Sequence, residues 1–188
     1  MIGLPMSRPA PPSPAKLVIG MFMRDMDLLD PVTETLEEQY GPVDIASRWL
    51  PFDCTAYYEP EMGTGLHRRM LSFKNLVSQD ELPRIKQFTN AVEAKHMAQD
   101  SRRINIDPGY LLPERFVLAT GKNFSHRIYI GKDIYADLTL MFHDGTFRPL
   151  PWTYPDYARE DMQDFLHKVR SKYLFDTRSA QAEKASAP

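Results

Sequence analysis

The sequence predicts an α+β domain with a mainly antiparallel sheet, helices largely on one face and a ferredoxin-like start. Strand-like and helix-like segments follow in the order strand, helix, strand, strand, helix, strand, which is the order of the split βαβ unit. An additional hairpin and an amphipathic C-terminal helix come next. Hydrophobic residues make up 43% of the 188 residues, enough for the core of one domain, which we place at residues 16–175.

The first strand and helix follow a proline-rich start. Residues 1–15 contain five prolines and are predicted to form a disordered tail. Residues 17–23 (LVIGMFM) form a continuous apolar run, which is typical of a central strand covered on both faces. Asp30 and Pro31 suit the start of a helix, and Gly41 with the proline after it ends that helix.

The second and third strands flank a long loop. Residues 43–50 alternate roughly as a strand, and residues 67–73 form the next one. Residues 52–65 (FDCTAYYEPEMGTG) hold too much proline and glycine for regular structure, so we expect a long loop of the kind that often carries function. Capping-box spacing at residues 78–81 then starts a second helix. The apolar stripe of this helix consists of Leu82, Ile85, Phe88 and Val92.

A hairpin ends the predicted sheet. Residues 102–107 and 115–120 form the fourth and fifth strands, and the hairpin supplies two more. If Ile130 pairs with Ile134, counting outward places Arg127 opposite Asp137 on the face away from the isoleucines. The two tyrosines of the hairpin then lie opposite each other on the same face.

Two segments follow the hairpin. Residues 152–157 (WTYPDY) are stiffened by proline and form either the rim of a pocket or a structural clasp, with Asp156 capping the last helix. An amphipathic helix then runs from Met162 to Tyr173. Residues 176–188 are predicted to be a flexible C-terminal tail.

Composition and motifs exclude several classes of protein. The net charge of −2 gives no general attraction to nucleic acid or acidic membranes. The single cysteine, Cys54, excludes an intramolecular disulfide and fits a reducing cytoplasm. No apolar run approaches the ~18 residues of a membrane span, and the N-terminus has no secretion signal, so we expect a cytoplasmic protein without a membrane partner. The Gly121–Lys122 pair belongs to no P-loop, because the earlier glycine is missing and a strand follows.

The polar face of the predicted sheet is a candidate pocket floor. Arginine can hold a phosphate or carboxylate through two hydrogen bonds, and aspartate can bind a divalent cation or take a proton. The alternative is an ordinary exposed face with a structural Arg127–Asp137 pair. The face carries Arg103, Asn105, Asp107, Arg127, Tyr129, Tyr135, Asp137 and Thr139.

Two loops add further candidates. The turn before the hairpin brings Lys122 and His126 close to Arg127, which makes either an anion site or a solvent-facing turn. Tyr58 and Glu61 in the long loop form either a wall of the pocket or aromatic packing onto the core.

These residues predict the binding of, or catalysis on, a small anionic ligand such as a nucleotide or phosphorylated metabolite. The groups expected to bind the anion are Arg103, Asn105, Lys122, His126 and Arg127. The groups expected to ligate a divalent metal or act as general acid and base are Glu61, Asp107 and Asp137. The expected pocket walls are Tyr58 and Tyr110.

Two alternatives remain open. The first is a non-catalytic module whose open, Arg/Tyr-rich sheet face binds RNA or a protein partner, including a second copy of the chain. The second is a structural subunit that binds no ligand. Binding that weakens steeply with salt would support RNA.

Several longer strings carry a resemblance to one family. They include YYEPEMG, INIDPGYL, SHRIYIG, IYADLTL and LPWTYPDY. Through them the chain resembles an uncharacterised prokaryotic family designated domain of unknown function 4416 (DUF4416) over about residues 16–175. The resemblance implies no activity and assigns no role to any residue.

Overall fold

The computed structural model describes residues 8–186, with the backbone alone for residues 180, 181 and 183–186. The strands are β1 (Ala15–Met23), β2 (Val43–Ala46), β3 (Leu50–Pro51), β4 (His67–Val77), β5 (Ile104–Leu112), β6 (Arg115–Thr120), β7 (Arg127–Gly131), β8 (Ile134–His143) and β9 (Thr146–Pro149). The helices are α1 (Leu29–Tyr40), α2 (Glu59–Met62), α3 (Leu82–Lys95) and α4 (Glu160–Ser186), with single 3₁₀ turns at Met26–Leu28, Gln79–Glu81 and Pro155–Ala158.

The nine strands form one antiparallel sheet in the order β2-β4-β1-β5-β6-β8-β7, with β3 beside β4 and β9 beside β8. The first part is the predicted split βαβ unit. α1 connects β1 to β2 while β4 lies between them, and α3 connects β4 to β5 while β1 lies between them. The predicted α+β class is confirmed.

The two faces of the sheet bury different helices. Val32 of α1 and Ile85 of α3 pack against one face of β1, where Leu17 and Ile19 lie. Leu166 of α4 packs against the other face, in the same cluster as Val18. Helices α1 and α3 therefore lie on one face as predicted, whereas α4 covers part of the face that we expected to be open.

The ends of the chain differ from each other. Residues 8–14 have no regular structure and are exposed, and residues 1–7 lie outside the described part. α4 runs on to Ser186, through most of the segment 176–188 that we expected to be a flexible tail. No helix in the described part of the chain is both long and apolar enough to cross a membrane.

The register of the hairpin is as predicted at its polar end. Arg127 pairs with Asp137, and the two tyrosines face each other. The pair next to the turn differs from the predicted Ile130–Ile134 pair. A bulge at Ile130 places Gly131 opposite Ile134 instead. Ile128 is 71% exposed rather than buried, because β7 is the edge strand of the sheet.

The sheet opens between β5 and β6, and this opening positions the site. β5 pairs with β6 only over residues 109–112, so the start of β5 has no neighbour on that side. Side chains of α3 supply hydrogen-bond partners to the backbone groups of Ile106 that a neighbouring strand would otherwise pair. The N–H of Ile106 donates to Glu93 Oε1 at 2.7 Å, and its carbonyl accepts from Lys86 Nζ at 2.7 Å. Buried backbone groups need such partners, so the gap is stable without a strand.

Candidate functional site

A cavity of about 770 Å³ lies at this opening, with α3 on one side and Leu118 and Tyr157, from the cluster that α4 packs against, on the other. Five segments supply most of its walls, and Arg68 of β4 and Asp137 of β8 complete them. The five segments are the loop at residues 52–58, α3 at residues 86–93, the start of β5 at residues 102–107, the end of β6 with the following turn at residues 118–122, and residues 154–157. A cavity of this size suits a metabolite-sized ligand.

Arg68 of β4 and Asp156 form a buried ion pair in the wall of the cavity. The two residues are 4% and 6% exposed, and the guanidinium donates to the carboxylate. The guanidinium carbon also lies 4.6 Å from the ring centre of Phe52 and 5.0 Å from that of Tyr157. Aromatic faces attract a cation, so these contacts fix the direction of the Arg68 side chain.

Three polar groups in the cavity wall lack a hydrogen-bond partner among the described residues. They are Arg68 Nε, Asn105 Nδ2 and Tyr157 Oη, and each belongs to a buried residue that lines the cavity. Burial raises the pKa of the Tyr157 hydroxyl, so this group is neutral and can donate. The Tyr157 hydroxyl lies close to Gly20 of β1. A Cβ atom added to Gly20 would be only 3.3 Å from the hydroxyl oxygen.

Asp107 of β5 lies between two cations. Its carboxylate is 3.9 Å from Arg68 Nη2 and 3.7 Å from Lys86 Nζ, which are longer than hydrogen-bond distances. Its side chain is 28% exposed and lines the cavity. Lys86 Nζ also lies 3.9 Å from Glu93 Oε1, and burial raises the pKa of Glu93. The ammonium of Lys86 is therefore shared by two carboxylates.

Arg102 connects the long loop to β5. Its guanidinium donates to both oxygens of Glu61, at 2.7 and 2.6 Å, and to Asn105 Oδ1 at 2.7 Å. The hydrogen bonds from Arg102 lower the pKa of Glu61. Glu61 is thus an ionised structural partner of Arg102. Because Asn105 Oδ1 faces Arg102, the N–H₂ group of Asn105 is left without an acceptor among the described residues.

Asp137 holds the turn before the hairpin against the sheet. It is 2% exposed and lies 3.0 Å from Arg127 Nε and 3.1 Å from His126 Nε2. Arg127 also donates to Tyr154 Oη at 2.6 Å and to the Lys122 carbonyl at 3.0 Å. Two roles were considered for the Arg127–Asp137 pair, a ligand site and a structural ion pair. The contacts match the structural ion pair, because both side chains bind other groups of the protein.

The segment at residues 152–157 is both clasp and rim. Trp152 Nε1 donates to the Leu138 carbonyl at 2.8 Å, and its ring stacks on His126 with centres 4.9 Å apart. Tyr154 and Asp156 line the cavity. Asp156 does not cap α4 as we expected, because Arg68 draws its carboxylate into the core.

Five predicted site residues do not line the cavity, Arg103 and Tyr110 among them. Arg103 precedes the first residue of β5, so strand alternation does not apply to it, and it pairs with Asp25. Tyr110 belongs to β5 but shares the parity of Ile106, so it packs against the cluster around Leu82 on the other face. Of the remaining predicted residues, Tyr58, Asn105, Asp107, Lys122 and Asp137 line the cavity, while Glu61, His126 and Arg127 support its walls.

Sequence reasoning missed many residues of the cavity wall, and three of them are Arg68, Lys86 and Tyr157. Arg68 lies two residues before the apolar Met70 in a predicted strand, and this spacing was the available signal that both side chains point to the same face. Lys86 lies four residues after Leu82 on the buried stripe of α3, and it is buried. Tyr157 was predicted only as part of the clasp. In the described part of the chain, no group of three or more His, Cys, Asp or Glu side chains is placed to hold a metal ion, which was one of the two roles considered for Glu61, Asp107 and Asp137.

Lys122 and Tyr57 close one side of the cavity mouth. Lys122 Nζ donates to Tyr57 Oη at 2.8 Å and lies 4.4 Å from the ring centre. The hydrogen bond and charge of Lys122 lower the pKa of Tyr57. This contact joins the long loop to the turn after β6.

Replacing Lys122 by glutamine should raise the pKa of Tyr57 toward its ordinary value, because the ammonium that favours the phenolate is lost. The titration of ring-labelled tyrosine followed by NMR measures this. Lys74→Gln, a change at an exposed lysine of β4, is the matched control and should leave Tyr57 unchanged. An identical Tyr57 titration in both variants would contradict the contact.

The fold and the cavity define an α+β protein with a polar pocket at an opening in an antiparallel sheet. The sequence model of a family described as Domain of unknown function (DUF4416) matches residues 13–173. The match covers most of the chain, so the protein belongs to this family, as the resemblance predicted. No curated protein and no solved structure matches the chain.

Proposed function

We propose that the protein binds a small anionic ligand, such as a nucleotide or a phosphorylated metabolite, in this cavity. The observation that carries the proposal is the set of unpartnered groups Arg68 Nε, Asn105 Nδ2 and Tyr157 Oη. Leaving a buried donor unsatisfied costs about 1–3 kcal/mol. A ligand rich in hydrogen-bond acceptors removes this penalty at all three positions.

One of the lining cations also supports an anion. Four cations line the cavity, and four carboxylates oppose them. Arg68, Lys86 and Arg102 each lie within 4 Å of a carboxylate. Lys122 is exposed, and its ammonium donates to Tyr57 Oη with no carboxylate of the described residues within 4 Å. Lys122 is therefore the lining cation that is available to an anionic ligand.

Thermal unfolding and calorimetric titration with a panel of ligands test the proposal. The panel contains inorganic phosphate, methyl phosphate, ribose 5-phosphate and adenosine monophosphate, with ribose and adenosine as uncharged counterparts. A ligand present at ~100 times its dissociation constant stabilises the fold by about 2.7 kcal/mol, which is several degrees in Tm. We expect the charged member of each pair to bind. Equal behaviour of charged and uncharged members would contradict the proposal.

Asn105→Asp should weaken the binding of the anionic ligand by roughly tenfold or more. The substitution keeps the oxygen that accepts from Arg102 but replaces the unpartnered N–H₂ by an oxygen with negative charge. Calorimetric titration of both proteins measures the change. Asn75→Asp makes the same change in charge at an exposed residue of β4 and should leave the affinity unchanged. Equal affinities of the two variants would remove Asn105 from the site.

A second candidate function is a module that binds a protein partner or RNA. The observation that favours it is the exposure of Phe124, Ile128 and Tyr129 at the edge strand β7. Apolar and aromatic residues of this kind are enriched in the cores of interfaces. Light scattering reports self-association, and a steep loss of RNA binding between low and moderate salt reports a nucleic-acid partner. A monomer without RNA affinity would argue against this candidate.

A cytoplasmic location is part of the proposal. Cys54 is free, and it lies partly exposed in the cavity wall. A reducing compartment keeps such a thiol free. Cell fractionation followed by detection of the chain should place it in the soluble cytoplasmic fraction, and recovery in a membrane or secreted fraction would contradict this.

A further inference from the structure

Asp107 has unused hydrogen-bonding capacity inside the cavity. A carboxylate offers about four lone-pair positions. The two cations beside it, at 3.7 and 3.9 Å, lie beyond hydrogen-bond distance, and no donor of the described residues reaches it. Both cations are also bound elsewhere, Arg68 to Asp156 and Lys86 to the carbonyl of Ile106. The acceptor oxygens of Asp107 are therefore available to a ligand.

The position of Asp107 limits which ligand atoms can reach it. A phosphate or carboxylate placed against Asp107 would meet a like charge, so the anionic group of the ligand has to lie elsewhere in the cavity. The unpartnered donors Arg68 Nε, Asn105 Nδ2 and Tyr157 Oη offer such a place. A ligand that uses the whole cavity must therefore present acceptors to these groups and donors to Asp107.

Asp107 is better placed to accept hydrogen bonds from neutral groups of a ligand than from cationic ones. An ammonium on the ligand would be attracted by Asp107 but repelled by Arg68 and Lys86, whose charged nitrogens lie within 4 Å of the same carboxylate. A hydroxyl group donates a hydrogen bond without adding charge. Hydroxyl groups thus fit the surroundings of Asp107, whereas amines do not.

The wall beside these groups suits the ring of a sugar. Tyr58 lines the cavity and packs against Phe22 and Phe52, with ring centres 4.7 and 5.9 Å away. Burial raises the pKa of Tyr58, which keeps its ring neutral. Aromatic surface next to hydrogen-bonding groups is typical of sites for small ligands with an apolar face and polar edges.

We infer that the ligand is a phosphorylated sugar or polyol, alone or as part of a nucleotide, whose hydroxyl groups donate hydrogen bonds to Asp107. The inference rests on the proposed binding of an anionic ligand, and it adds the chemical nature of the part of the ligand that lies beyond the phosphate. The phosphate contacts the donors of Arg68, Asn105 and Tyr157, and the hydroxylated part lies against Asp107 and Tyr58.

Calorimetric titration with four phosphate monoesters tests this inference. The probes are methyl phosphate, ribose 5-phosphate, glycerol 3-phosphate and phosphoethanolamine, which carries an ammonium in place of a hydroxyl. The two hydroxylated phosphates should bind at least tenfold more tightly than the other two. Equal affinity for methyl phosphate would overturn the inference but keep the proposed function. Tighter binding of phosphoethanolamine would show that Asp107 takes an amine, and absence of all binding would overturn both.

Asp107→Asn gives a second readout. The variant should bind the hydroxylated phosphates roughly tenfold more weakly, because an amide is a poorer acceptor than a carboxylate. Its affinity for methyl phosphate should stay the same or rise, because a negative charge has been removed. Asp133→Asn, in the exposed turn of the hairpin, is the matched control and should change neither. An equal loss for both kinds of phosphate in Asp107→Asn would contradict the assigned role.

Discussion

Asp156→Ala should lower the free energy of unfolding by about 3–5 kcal/mol, the range for breaking a buried ion pair on one side. The loss is large because Arg68 is only 4% exposed and cannot regain water when its partner is removed. Asp107, at 3.9 Å, is too far away to replace the lost hydrogen bond. The charge of Arg68 would then be buried without its main partner.

Urea denaturation of a set of variants measures the effect. Arg68→Met/Asp156→Leu removes both charges and should recover most of the stability, because apolar groups of similar size can replace a buried pair. Asp53→Ala is the control, since its partner Arg159 lies at the surface and such pairs contribute ~0–1 kcal/mol. A loss in Asp156→Ala no larger than in Asp53→Ala would show that the pair does not hold the cavity wall.

Gly109→Ala should destabilise the fold by about 2–3 kcal/mol, toward the upper part of the usual range for overpacking. A Cβ at this position would lie 2.4 Å from the Val117 carbonyl oxygen. The obstacle is backbone, so no change of rotamer can relieve it. Gly109 is also the first residue of β5 that pairs with β6, so the strain falls at the point where the two strands separate.

Gly121 provides a matched control for Gly109. A Cβ at Gly121 would have no atom within 4 Å, and the substitution there should be neutral or slightly stabilising because alanine restricts the unfolded chain. Urea denaturation of both variants gives the comparison. If Gly109→Ala is as stable as Gly121→Ala, the close approach of β5 and β6 is not present in solution.

Local periodicity was sufficient to predict the polar hairpin face. Side chains alternate across a strand, so Arg127, Asp137, Asn105 and Asp107 could be assigned to faces by counting. Counting failed for Arg103, which precedes the strand. Local patterns also gave the elements of the split βαβ unit, because each element carries its own apolar period.

The composition of the cavity depends on long-range pairing, which periodicity does not encode. Arg68 and Asp156 are 88 residues apart, and they meet only because β4 lies beside β1 and the clasp folds over both. Lys86 reaches the cavity through the gap between β5 and β6, and no local signal predicts that gap. A single arginine or lysine in an amphipathic segment is usually placed at the surface, so both residues were overlooked.

The most direct test of the account is an NMR titration of the side-chain N–H groups of Arg68 Nε and Asn105 Nδ2 with ribose 5-phosphate. Both groups lack a partner among the described residues, so a bound phosphate should shift their resonances and slow their exchange with water. The N–H₂ group of exposed Asn75 serves as the internal reference and should not move. Saturable shifts at Arg68 and Asn105 are the predicted result. Binding that leaves both unshifted, or moves Asn75 equally, would contradict the cavity as the site of an anionic ligand.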